Sequence, residues 1–133
     1  MRFVSTRGQT PPTPIDAALV AGLAPDGGLY VPERIPAVDI GPGDTLAQTA
    51  QNVLAPYFAQ SSLRDALQSI CAHAYSFDAP LRAMSGESDH LLELFHGPTA
   101  AFKDYAARFL AEALSRLRPS DAAPTTIIVA TSG

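Results

Sequence analysis

From Thr45 onward the apolar residues Leu46, Ala50, Val53, Leu54, Tyr57 and Phe58 recur at spacings of three and four, marking one face of an amphipathic helix. Pro56 lacks the amide that a helix interior uses, so it is expected to kink or end that helix. A second helix is predicted from Ser62, whose hydroxyl is placed to cap the amide near Asp65. Its apolar face is Leu63, Ala66, Leu67, Ile70, Cys71 and Ala74. Joined by a short connector, the two make a helix hairpin. Ahead of them the pattern is interrupted, because seven of the twelve prolines and six of the nine glycines fall within the first 43 residues. Brief elements are expected there. Arg2 to Thr6 reads as a strand, and Thr13-Pro14-Ile15-Asp16 as a helix start with Thr13 as N-cap, running to about Gly22. Ala24-Pro25-Asp26-Gly27-Gly28 reads as a turn feeding the β-prone Leu29-Tyr30-Val31.

After Phe77 the pattern changes again. Leu91, Leu92, Leu94 and Phe95 form a short apolar run that ends at His96-Gly97-Pro98-Thr99, and a helix is predicted from about Lys103 to Arg118 with Tyr105, Phe109, Ala113, Leu114 and Leu117 inward. Pro119 to Pro124 reads as a loop, and Thr126-Ile127-Ile128-Val129-Ala130 as a buried parallel strand. Strand, helix and strand make a right-handed βαβ unit. The expected fold class is therefore α/β: a small N-terminal α+β domain over residues 1–78, then the start of a second domain over residues 79–133. A ligand loop usually follows a parallel strand, so Thr131-Ser132-Gly133 reads as a functional motif cut short. The sequence is expected to be a fragment, folding by itself mainly through the residues up to about Phe77.

Composition narrows the classes. In 133 residues, 47% belong to the AVILMFWYC set and 17% are charged, as in globular rather than disordered chains. The net charge is −4 and the cationic residues are scattered, so no basic stripe invites a nucleic-acid backbone. The single cysteine, Cys71, reads as a small core hydrophobe. No signal-like N-terminus or membrane-spanning run is present in the sequence, so a cytoplasmic location is expected. No His, Cys, Asp and Glu cluster has metal-ligand spacing, and no metal is expected. Gly27 and Gly28 lack the spacing of a phosphate loop and suit a tight turn.

Candidate chemistry enters with the cations: eight are arginine and only Lys103 is lysine. Arginine can replace lysine wherever a surface charge suffices, but only an amine can lose its proton and form a Schiff base. Lys103 is expected where a strand-following loop enters a helix. There the helix N-terminus, and partial burial beside Phe102, would lower the amine's pKa from about 10.4. The alternative is a solvated helix-start lysine, paired with Asp104. Position alone leaves both open.

Leu94-Phe95-His96-Gly97-Pro98-Thr99-Ala100-Ala101-Phe102-Lys103-Asp104 resembles the cofactor-lysine motif of the threonine synthase family. Ser5-Thr6-Arg7-Gly8 and Gly22-Leu23-Ala24-Pro25-Asp26-Gly27-Gly28-Leu29-Tyr30-Val31-Pro32 resemble that family's opening sequence, and Thr131-Ser132-Gly133 the start of its Thr-Ser-Gly-Asp-Thr-Gly loop. The resemblance implies a fold-type-II pyridoxal 5'-phosphate lyase that converts O-phosphohomoserine and water into threonine and phosphate. Lys103 would hold the cofactor and move protons at the substrate carbons. It also implies that most of the pyridoxal phosphate domain lies outside these residues and that this segment alone is inactive. His96 either polarises the substrate, orients the loop or only bonds backbone. Thr99 would line the site and Asp104 favour the helix dipole, while Thr131, Ser132 and Gly133 would bring backbone amides to an anionic group. The competing readings are a related phospho-lyase or dehydratase on the same scaffold and a small noncatalytic domain. Oligomeric state is not readable.

Overall fold

The computed structural model describes residues 1–41, 45–86 and 88–119. Three short strands open the chain: β1 (Arg2–Ser5), β2 (Thr13–Pro14) and β3 (Tyr30–Pro32). Strand β1 lies between the other two and is antiparallel to both, with Phe3 opposite Thr13 on one side and Pro32 on the other. Helix α1 (Ile15–Ala21) follows β2 directly and stops at Gly22. Thr13 is therefore not the N-cap. It belongs to β2, and Pro14 occupies the cap position without a side-chain hydrogen bond. The pairing of β2 with β1 takes these residues out of the helix.

Helix α2 (Leu46–Phe58) begins with a reciprocal cap. The Thr45 hydroxyl accepts the Gln48 amide at 3.2 Å, and the Gln48 side-chain oxygen accepts the Thr45 amide at 2.8 Å. Pro56 sits in its last turn, and the helix ends two residues later, as the sequence predicts. The next helix departs from expectation at its start: a 3-10 turn covers Arg64–Ala66 and α3 spans Leu67–Ala74. Ser62 caps nothing here. Its hydroxyl donates to Asp16 Oδ2 at 2.8 Å and its amide to the same oxygen at 2.9 Å, while the Ser61 hydroxyl donates to Asp16 Oδ1. Asp16 thus ties α1 to the α2–α3 connection. Burial works against its charge, but the donors from Ser61 and Ser62 outweigh that and lower its pKa.

A hairpin of β4 (Leu81–Ala83) and β5 (His90–Leu92) precedes helix α4 (Lys103–Leu117). The apolar run at Leu91 was expected to be a parallel strand. Among the described residues its partner is β4, antiparallel, with Leu92 opposite Leu81. The expected parallel partner, residues 126–130, lies outside the described residues, as do all but the first residue of the loop after α4 and Thr131, Ser132 and Gly133.

Helix α3 packs against both α2 and α4, and α1 also meets α4. The core holds Ile15, Phe58, Leu63, Leu67, Ile70, Cys71 and Ala113, with Ile70 and Ala113 completely buried. The Phe109 ring meets Phe58 edge-on at 5.9 Å and stacks near Tyr75 at 6.3 Å. This core extends past Phe77, because α4 supplies Ala113, Phe109 and Leu117 to it. Burying a side chain the size of Ile70 stabilises by about 1.5–3 kcal/mol.

Candidate functional site

The N-terminus of α4 is held through its middle. Arg108 Nε donates to the Ala74 carbonyl at 2.8 Å, and Arg108 Nη2 to the His73 carbonyl at 2.7 Å. A cation at these last carbonyls suits the negative end of α3. The same guanidinium stands 5.6 Å from the centre of the Phe77 ring, and the Tyr105 hydroxyl donates to the Asp78 carbonyl at 2.9 Å. One helix therefore closes the core with its inner face and presents its first residue, Lys103, at the surface.

Lys103 opens that turn, exposed, with no hydrogen bond or ion pair among the described residues. The anticipated burial beside Phe102 is absent: Phe102 is itself 65% exposed. The anticipated pairing with Asp104 is absent too, because that carboxylate turns inward. Asp104 is only 7% exposed, and it accepts the Thr99 amide at 2.8 Å and the Thr99 hydroxyl at 2.9 Å. Thr99 is thus committed to Asp104 rather than free to line a site. Between them Ala100 has φ of 53°, a left-handed conformation that costs a non-glycine residue about 1–2 kcal/mol. Gly97 completes the loop: a Cβ there would meet Asp104 Oδ2 and lie 2.7 Å from Asp104 Cβ.

The hairpin delivers the other candidate. The Glu93 amide closes it on the Pro80 carbonyl at 2.9 Å, and Glu93 faces His96 Nε2 at 2.7 Å and Arg82 Nε at 3.5 Å. The His96 ring also stacks on Phe95 at 4.8 Å. Its partner is therefore a carboxylate, where the sequence suggested backbone or substrate. Chemically, the loop from Glu93 to Lys103 brings an amine without a partner among the described residues and an imidazole bonded to a carboxylate onto one segment. An unpartnered amine fits covalent attachment of an aldehyde cofactor.

The sequence also missed a polar hub near the N-terminus. The buried Ser5 hydroxyl donates to Asp26 Oδ1 at 2.7 Å, the Gly28 amide reaches that oxygen at 2.9 Å, and the Gln9 amide donates to Asp26 Oδ2 at 3.0 Å. Arg7 Nη1 donates to the Asp26 carbonyl at 3.1 Å. The Ser5 hydroxyl leads in lowering the Asp26 pKa; burial opposes it, and Gly28, Thr10 and Gln9 add to it, leaving the group at about 2. Gly28 is required because a Cβ would collide with Ser5 Oγ. The two opening motifs, Ser5–Gly8 and Gly22–Pro32, are thereby one structural unit. The signal was an aspartate at the centre of a glycine turn, a residue that bonds nearby amides.

A family model described as "Threonine synthase N terminus" matches residues 2–75. The chain belongs to the threonine synthase family. The threonine synthase of Pseudomonas aeruginosa is 39% identical over an alignment 149 positions long, covering 100% of this chain and 30% of the relative. That of Saccharomyces cerevisiae is 34% identical over an alignment of 155 positions, covering 98% and 30%. Among solved structures, the pyridoxal phosphate-bound threonine synthase from Brucella melitensis is similar with a TM-score of 0.78 and 35% identity, over 88% of this chain and 27% of that one. The yeast threonine synthase structure gives 0.75 and 34%, over 86% and 26%. The mixed helix and sheet arrangement is thus that of the N-terminal region of threonine synthases. The chain spans about 30% of the length of the curated relatives it matches. Among the described residues, no helix is long and apolar enough to cross a membrane, and no metal-holding cluster occurs.

Proposed function

We propose that these residues form the N-terminal part of a threonine synthase that converts O-phosphohomoserine and water into threonine and phosphate in the cytoplasm, with Lys103 as the residue that binds pyridoxal 5'-phosphate. The observation that carries this reading is the place of Lys103, the chain's single lysine, at the first turn of α4 within the Leu94–Asp104 motif of a chain that belongs to the threonine synthase family. When bound, the cofactor supplies an electron sink at the substrate's reacting carbons. Lys103 Nζ takes and returns the proton at those carbons, and an arginine at that position keeps the charge without the chemistry. Glu93 holds the His96 imidazole through Nε2 in the loop that leads to Lys103. Thr131, Ser132 and Gly133, outside the described residues, supply backbone amides to an anionic group. The division between residues 1–78 and 79–133 belongs to this proposal, with α4 as the second part's anchor on the first. The segment by itself is inactive, because residues beyond it complete the cofactor and substrate contacts.

The test is borohydride reduction of the full-length protein with pyridoxal phosphate, followed by peptide mapping. The adduct is expected on Lys103, and Lys103→Arg is expected to abolish release of phosphate and threonine from O-phosphohomoserine. An adduct on another lysine with residue 103 unmodified overturns the site. Formation of a keto acid from serine or threonine, with the phosphorylated substrate untouched, identifies a dehydratase instead.

A further inference from the structure

We infer that Asp104 and Thr99 are positioning residues for Lys103, acting as a buckle that closes the loop in front of α4 and fixes where the amine emerges. The inference rests on the assignment of Lys103 above. An aspartate in the first turn of a helix is ordinarily content in solvent, where the helix dipole favours its charge. Asp104 is buried instead, and both of its oxygens go to one residue, accepting the Thr99 amide and the Thr99 hydroxyl. A buried carboxylate is costly unless hydrogen-bonded, so the two donors from Thr99 and the inward position require each other.

Three further features converge on the same loop. Gly97 is the position where any Cβ would strike Asp104. Ala100 is held at positive φ, and its amide donates to the Gly97 carbonyl at 3.0 Å. A strained residue persists only where its surroundings over-determine it, and such strain concentrates at functional sites. Successive helical residues point about 100° apart, so with Asp104 drawn inward Lys103 is left exposed beside it. The buckle spans Thr99 to Asp104, and Lys103 is the residue immediately inside it. Small displacements of a reacting group are expensive in rate, which gives a loop of this kind a function beyond stability.

The experiment uses the full-length protein. The rate of reductive trapping of pyridoxal phosphate on Lys103, the kcat and KM, and the folded fraction are measured for Thr99→Val, Thr99→Ser and Asp104→Asn. Valine keeps the shape of threonine and removes the hydroxyl; serine keeps the hydroxyl. Per folded molecule, Thr99→Val and Asp104→Asn are expected to slow both trapping and kcat about tenfold or more with KM changed less than about threefold. Thr99→Ser is expected to recover most of what Thr99→Val loses. Ile70→Val, a core change away from the loop, serves as reference for lost stability alone and is expected to leave trapping per folded molecule unchanged. Equal trapping in Thr99→Val and the unsubstituted protein overturns the buckle while the assignment of Lys103 stands, as does a loss in Thr99→Val that Thr99→Ser fails to recover. Absence of trapping on Lys103 in the unsubstituted protein overturns both. Should Asp104→Asn fail to fold, the two Thr99 variants decide alone.

Discussion

Helices α2, α3 and α4 and the hairpin of β4 and β5 are close in sequence and opposite in construction. Phe58, Ile70, Cys71, Ala74 and Ala113 are almost wholly removed from solvent, whereas every residue of β4 and β5 is exposed, with Leu81 at 63% and Leu92 at 52%. The helices are held by interlocked side chains, the hairpin chiefly by its own backbone pairing. The candidate site lies at the seam, since the loop from Glu93 to Phe102 leaves the hairpin and enters α4. Lys103, itself exposed, is thus mounted on the helical side of that seam, at the first turn of a helix whose later residues lie in the core.

The widest gap between the regions is expected in side-chain truncation. In the 133-residue chain, Ile70→Ala should cost about 2–5 kcal/mol, and Leu92→Ala about 0.5 kcal/mol or less. Denaturant unfolding of both variants checks this; similar losses would mean that the hairpin is part of the cooperative core. Next is the joint itself. Arg108→Met keeps much of the aliphatic stem but removes the donors to Ala74 and His73, and should cost about 1.5–3 kcal/mol. Amide exchange should then speed up through α4 more than through α2. Uniform acceleration would show that Arg108 does not act as a joint.

The smallest effect concerns acidity at the polar hub. Asp26 titrates at about 2 in the folded chain, against about 3.9 for an unperturbed aspartate. A depressed folded pKa contributes stability that is present above about pH 4 and is lost as the pH falls toward about 2. The difference in unfolding midpoint between the unsubstituted chain and Asp26→Asn should therefore be constant near neutrality and shrink below about pH 4. A difference that stays flat to pH 2 would contradict the assigned bonding of Asp26.

Legibility in the sequence follows the same division. The faces of α2, α3 and α4 were readable because their burial repeats at helical spacing, and Phe109 and Ala113 lie inward as their period requires. Strand β4 was not readable: three exposed residues, Leu81-Arg82-Ala83, carry no alternation. Thr13 and Ser62 misled because each has the chemistry of a cap, yet a strand pairing and a carboxylate distant in sequence claimed them. Within the candidate site, Lys103 stood out by composition and motif. The inward turn of Asp104 did not, since nothing local marks an aspartate beside a lysine as buried.

Cys71 is 1% exposed, and burial pushes its thiol up to about 11. The thiolate is the reactive form, so this sulfur is doubly silenced near neutral pH, by access and by protonation. It is also the only cysteine in the chain. A thiol-selective reagent that labels this chain must therefore have reached the contact between α2, α3 and α4 while that contact was open. The rate at which one thiol disappears is a clock for the opening of the core on which the lysine-bearing helix is mounted.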